Sequence, residues 1–143
     1  MKRILFLCTK NSCRSQMAEG WARHLLGKRF EVVSAGSEPA AVDPRAIEVM
    51  AEVGIDLSAH RSKSVEAFKD AQIDHVFTLC GAAHDQCPLW PGGATVQHRD
   101  FDDPPELAKA EQTREAALQH YRRVRDEIGA WIKTLSEELV AHG

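Results

Sequence analysis

The apolar run Ile4-Leu5-Phe6-Leu7 ends on Cys8 and gives way, within a few residues, to a helical pattern; no other feature constrains the fold so tightly. Four consecutive apolar residues read as a strand buried on both faces, and Met17, Trp21 and Leu25 then recur at the spacing of one helix face. Between them lie Thr9, Lys10, Asn11, Ser12 and Cys13, with Arg14 and Ser15 where the helix begins. A strand that turns through a short loop into a helix points several backbone N–H groups into one concavity, and the helix dipole adds positive potential there. Arg14 adds a planar fork that fits two oxygens of a tetrahedral oxyanion. Such a field favours the thiolate, so Cys8 is expected to be a nucleophile set in an anion cradle.

The rest of the chain alternates between strands and helices. The first helix stops near Gly27, and Phe30 to Ala35 reads as a second strand ending at Gly36. After a loop over 36–43, Asp43-Pro44 marks a helix start, with aspartate as N-cap and proline in the first helical position. Ile47, Met50 and Ala51 follow, and Gly54 ends the element. A short helix is expected from Ser64 to about Ala71, a third strand over Ile73–Leu79 that runs into Cys80, and a fourth over Ala94–Gln97. Residues 80–93 read as a loop and Asp100–Glu106 as a proline-broken acidic loop. One long helix, about Glu111 to Val140, carries Ala117, Tyr121, Val124, Ile128, Ile132, Leu135 and Leu139 on one face. The pattern predicts a single α/β domain over 1–143: a three-layer, doubly wound, flavodoxin-like fold with a four-stranded parallel sheet flanked by helices. Such sheets bind ligands at the carboxyl ends of their strands, where Cys8 and Cys80 both fall.

Composition narrows the function. Net charge is −3 with both signs mixed, so no basic block calls for nucleic acid. The apolar run of four near the start is too short for a signal peptide, and nothing approaches a membrane span of about 20 residues, so a cytosolic protein is expected. Four cysteines in that compartment speak for metal binding or redox catalysis rather than structural disulfides. Their spacings match no usual zinc pattern, even with His84 between Cys80 and Cys87, which leaves redox chemistry and no metal or cofactor.

Cysteine, five residues, arginine and serine, here Cys8 to Ser15 near the start of the chain, resembles the signature of the low-molecular-weight protein tyrosine phosphatases. The fuller string Cys-Thr-Lys-Asn-Ser-Cys-Arg-Ser-Gln-Met-Ala-Glu-Gly is more similar to the thioredoxin-coupled arsenate reductases built on the same scaffold. That resemblance implies that Cys8 attacks arsenate, Arg14 grips its oxygens, Ser15 steadies the thiolate, and Asn11 holds the shape of the loop over 9–15. Phosphate and sulfate would compete as oxyanions. Cys13 reads as a packed loop residue. In Asp102-Asp103-Pro104 the resemblance assigns the proton donor for the leaving group to Asp103, the aspartate directly before proline. It also implies a cascade: Cys80 attacks the sulfur of Cys8 and releases arsenite, Cys87 attacks Cys80, and thioredoxin reduces the resulting Cys80–Cys87 disulfide. Were 80–87 helical, a separation of seven residues would span about 10 Å, whereas a disulfide needs α-carbons within about 7 Å. The segment must then loop or unwind on oxidation.

The chain departs from the pattern in two places. Lys10 stands where relatives usually have glycine, and lysine is strained there if the backbone needs a positive φ. Relatives often hold a potassium ion beside the loop, through residues matching Asn11, Glu19 and Ser34 and a carboxylate after Ser58; Lys63 occupies the carboxylate position, where its ammonium would pair with Glu19 in place of the ion. The alternative function is phosphotyrosine hydrolysis through a phosphocysteine. Against it, Ser12 and Pro105 stand where those phosphatases usually present apolar and aromatic contacts. A third reading, an oxyanion-binding or redox-sensing module, requires an inert Cys8.

Overall fold

The computed structural model describes residues 1–79 and 94–142, so Cys80, Cys87 and the loop expected over 80–93 lie outside the described residues. Strand β1 (Lys2–Cys8) is the spine of the sheet. It pairs in parallel with β2 (Phe30–Gly36) on one side and with β3 (His75–Thr78) on the other, and β4 (Thr95–His98) pairs in parallel with β3. The order β2-β1-β3-β4 is the flavodoxin-like one. The chain leaves β1 for β2 and then crosses back to β3, so the crevice between the carboxyl ends of β1 and β3 is the switch point where such folds bind ligands.

The apolar run that opens the chain is buried because it faces two cores at once. Ile4 and Phe6 pack into the larger cluster with Met17, Met50, Phe77, Tyr121 and Ile128; Leu5 and Leu7 pack into a smaller one with Ala35, Ile73 and Val76. The larger cluster takes in helices α1 (Arg14–Leu26), α2 (Pro44–Glu52) and α4 (Arg114–His142). Trp131 of α4 sits edge-on against Phe6 and Phe77, with ring centroids 6.0 and 5.5 Å away.

Three elements differ from the sequence expectation. In place of a helix from Ser64 to about Ala71 there is one 3-10 turn, Val65–Phe68, capped by Ser64. Side chains three apart eclipse in a 3-10 turn, which lays Val65 and Phe68 together on the smaller core. The acidic loop contains a helix, α3 (Pro104–Ala108), with prolines in its first two positions and Asp103 flanking it. This is the Asp-Pro start signal of α2 repeated, since a proline without an N–H loses nothing in a first helical turn. The long helix starts at Arg114, with Thr113 Oγ1 accepting from the N–H of Ala116.

One polar contact ties α4 to the loop before α2. The Tyr121 hydroxyl donates to Asp43 Oδ2 at 2.5 Å, while the Asp43 side chain caps α2 and its own N–H donates to the Ser12 carbonyl at 2.8 Å. Burial, with Asp43 next to it, pushes the phenol pKa well above its ordinary value, so the ring stays a donor. Tyr121→Phe is expected to cost about 1–2 kcal/mol. In a chain of this size that lowers the thermal midpoint by roughly 3–6 °C, readable by calorimetry.

Candidate active site

The loop between β1 and α1 is fixed from outside by its carbonyls. Thr9 accepts from the N–H of Glu38 (2.8 Å), Lys10 from Ala40 (3.0 Å), Ser12 from Asp43 (2.8 Å) and Cys13 from Met17 (2.9 Å). The Asn11 carbonyl takes Ser62 Oγ at 2.7 Å and Gln16 Nε2 at 3.1 Å. A trans peptide carries its N–H opposite its C=O, so carbonyls turned outward leave the N–H groups of 10–14 turned inward. No side chain caps the start of α1 either, and its first N–H groups face the same concavity. Gly36 makes the close packing possible: a Cβ there would stand 2.5 Å from the Thr9 carbonyl oxygen.

A buried polar junction sits under the loop. Asn11 is fully buried and takes a left-handed φ of +50°, the only such value outside glycine among the described residues. The positive φ thus falls on asparagine, which tolerates it, and Lys10 is unstrained. Asn11 Oδ1 accepts from the Lys63 N–H (2.9 Å) and Gln16 Nε2 (3.1 Å), which orients Nδ2 to donate to Ser15 Oγ (2.7 Å) and Ser34 Oγ (2.9 Å). Ser15 Oγ, already an acceptor, has its own hydrogen left for Cys8 Sγ, 2.8 Å away. Cys13 is buried too, and burial followed by the nearby Asp43 and Asp103 pushes its thiol well up, which keeps it protonated and unreactive.

Ser34 passes the network to Glu19, donating to Oε1 at 2.5 Å. Glu19 is 2% exposed, and three basic side chains surround it: Arg23 Nε at 2.8 Å, Lys63 Nζ at 3.6 Å and His60 Nδ1 at 3.6 Å. Lys63 also donates to the Arg61 carbonyl at 2.8 Å. Burial lowers its pKa, and Glu19 opposes that. His60 is lowered in the same way, and its Nδ1 lies 3.0 Å from Gln16 Oε1. These residues do not fit a potassium ion, because the Lys63 ammonium already faces Glu19 Oε1 at 3.6 Å and would repel a second cation. The Gln16–His60 contact has no signal in the sequence, where 44 residues separate the pair.

At the mouth of the concavity, Arg14 Nη1 donates to the carbonyls of Leu79 (3.3 Å) and Phe101 (3.1 Å), and Nε lies 3.8 Å from Asp103 Oδ1. The fold therefore brings Cys8, Arg14, Ser15 and Asp103 to one rim, while Asp102 turns away to Arg123 Nη2 at 2.9 Å. The model of the low molecular weight phosphotyrosine protein phosphatase family matches residues 3–142. The chain belongs to that family. Within it, an arsenate reductase of Halalkalibacterium halodurans is 50% identical over 136 residues, 95% of this chain and 96% of the relative. A solved arsenate reductase in a phosphate-binding state superposes with a TM-score of 0.80 at 36% identity, covering 96% of this chain and 98% of that one. A thioredoxin-dependent arsenate reductase of Corynebacterium glutamicum gives 0.72 at 26% identity, covering all of this chain and 64% of that one.

Among the described residues no helix is long and apolar enough to cross a membrane. The Lys63–Glu19 pair carries a prediction. Turnover and thermal midpoint should be the same in potassium as in sodium chloride, and Lys63→Asp, which restores a carboxylate, should gain a potassium-dependent rise in midpoint. A clear response of the unaltered chain to potassium would count against the ammonium as the resident cation.

Proposed function

We propose that this chain reduces arsenate to arsenite, with Cys8 as nucleophile and thioredoxin as the final reductant, as part of arsenic detoxification in the cytosol. The observation that carries the reading is Cys8 Sγ, 2.8 Å from a Ser15 hydroxyl that Asn11 Nδ2 holds in place, in a chain half identical to an arsenate reductase over nearly its full length. Once Cys8 is ionised the sulfur only accepts, so the Ser15 hydroxyl then donates to it and stabilises the thiolate. Cys8 attacks arsenic and hydroxide leaves as water, with the proton from Asp103. Arg14 and the inward N–H groups of the loop over 9–15, those of Lys10 to Ser15, hold the oxygens. The Cys80 thiolate then attacks Cys8 Sγ: an S–S bond forms, the S–As bond breaks, and its electron pair stays on arsenic, which departs as arsenite. Cys87 next attacks Cys80, Cys8 returns as thiolate, and thioredoxin supplies two electrons to the Cys80–Cys87 disulfide.

Small oxyanions suit the rim better than aryl esters. Residues 37–43, which lie against the loop through Glu38, Ala40 and Asp43, contain no aromatic side chain, and neither does position 105. The cradle still admits phosphate, so slow hydrolysis of phosphate esters is expected as a side reaction.

Cys80→Ser and Cys87→Ser should each abolish repeated arsenate turnover with thioredoxin while p-nitrophenyl phosphate hydrolysis continues. Full arsenate turnover in both variants would overturn the cascade, and no arsenate turnover in the unaltered chain alongside ester hydrolysis would leave a phosphatase and no reductase. Ser15→Ala removes a hydrogen bond to a charged sulfur, and its first step, followed in single turnover, should slow by about 10- to 100-fold.

A further inference from the structure

His98 ends β4 opposite Thr78, its register partner at the end of β3. Its Nδ1 lies 2.7 Å from Thr78 Oγ1, and its Nε2 is hydrogen-bonded to the carboxylate of Asp100. A carboxylate only accepts, so Nε2 carries the proton, and in the neutral ring Nδ1 then receives the Thr78 hydroxyl. Thr78 is 8% exposed and built into the sheet, so the three residues form a clasp and not a nucleophile with its base. The clasp ties residue 100 to a rigid strand, and the Arg99 N–H donates to the Thr78 carbonyl at 2.9 Å in the same place. The next three residues bear on the site: the Phe101 carbonyl receives Arg14, Asp102 is held by Arg123, and Asp103 stands 3.8 Å from Arg14 Nε.

We infer that His98 is a positioning residue for proton transfer. By bridging Thr78 and Asp100 it fixes where the acid loop leaves the sheet, and so where the Asp103 carboxyl stands relative to the oxygen that departs. An imidazole suits the task because its two nitrogens point apart on a rigid ring, and few rotamers are lost in holding both bonds. The precision matters, since a displacement of about 1 Å costs a reacting group about 100-fold. This inference rests on Asp103 as the acid, as proposed above. It assigns His98 no contact with the oxyanion, and Arg14 has a second bond, to the Leu79 carbonyl, outside the acid loop.

The test compares Thr78→Val, Thr78→Ser, His98→Ala, the Thr78→Val/His98→Ala double variant and Asp103→Asn in the full chain. It reads kcat for arsenate with thioredoxin, calorimetric affinity for inorganic phosphate, and the thermal midpoint. Thr78→Val, which keeps the shape of the strand end, and His98→Ala should each lower kcat about tenfold, Thr78→Ser should restore it, and the double variant should be no slower than either single one. Phosphate affinity should stay within about twofold, and Asp103→Asn should lose about 100-fold or more. If Thr78→Val and His98→Ala turn over normally while Asp103→Asn is slow, the clasp is overturned alone. If Asp103→Asn is as fast as the unaltered chain, the acid assignment goes first. Phosphate affinity and midpoint that fall in step with kcat would also overturn the inference, because they would mark a general loss of structure.

Discussion

The Asn11 amide, buried beneath the loop, takes part in four hydrogen bonds and holds the backbone in a left-handed turn. Left-handed backbone costs a non-glycine residue about 1–2 kcal/mol, and asparagine tolerates it better than most. Each bond that offsets this cost also places another group: Ser15 toward Cys8, Ser34 toward Glu19, and the segment carrying Lys63 against the loop. The anion concavity is thus the outer surface of a polar core, and its shape is set before any ligand arrives. A half-satisfied network of this kind would be worse than an apolar one, which is why the neighbours of Asn11 are as constrained as the residue itself.

Glu19 shows the same economy of placement. A buried carboxylate is costly unless its charge is met, and removing one partner of a buried pair costs several kcal/mol. Arg23 meets it from one helical turn away, and Lys63 and His60 arrive from the segment after α2. With Lys63 bonded to Asn11 through its N–H and facing Glu19 through its ammonium, one residue joins the loop to the charge beneath it.

Much of this was legible from local pattern. Continuous apolar residues 4–7 marked a strand covered on both sides, and the alternation of strand and helix signals implied the parallel sheet. Asp43-Pro44 announces α2, yet the same pair at 103–104 reads as loop because acidic and proline-rich neighbours mask a helix of five residues. The turn after Ser64 proved shorter than its pattern because packing of Val65 and Phe68 on the sheet, rather than propensity, decides how far it winds. Lys10 raised a question of strain that only backbone angles answer, and they move the left-handed position to its neighbour.

By itself, the sequence determined the fold class, the strand–loop–helix that carries Cys8 and Arg14, and the charge standing at Lys63, because each is written in residues close together along the chain. Only the tertiary structure decided that Asn11 and Cys8 meet on the Ser15 hydroxyl, that Gln16 meets His60, that Asp102 turns to Arg123, and that His98 bridges β3 to the acid loop. These are contacts between residues far apart in the chain. Their partners are chosen by sheet register and by the need to satisfy buried donors and acceptors, and neither has a period that a sequence can display.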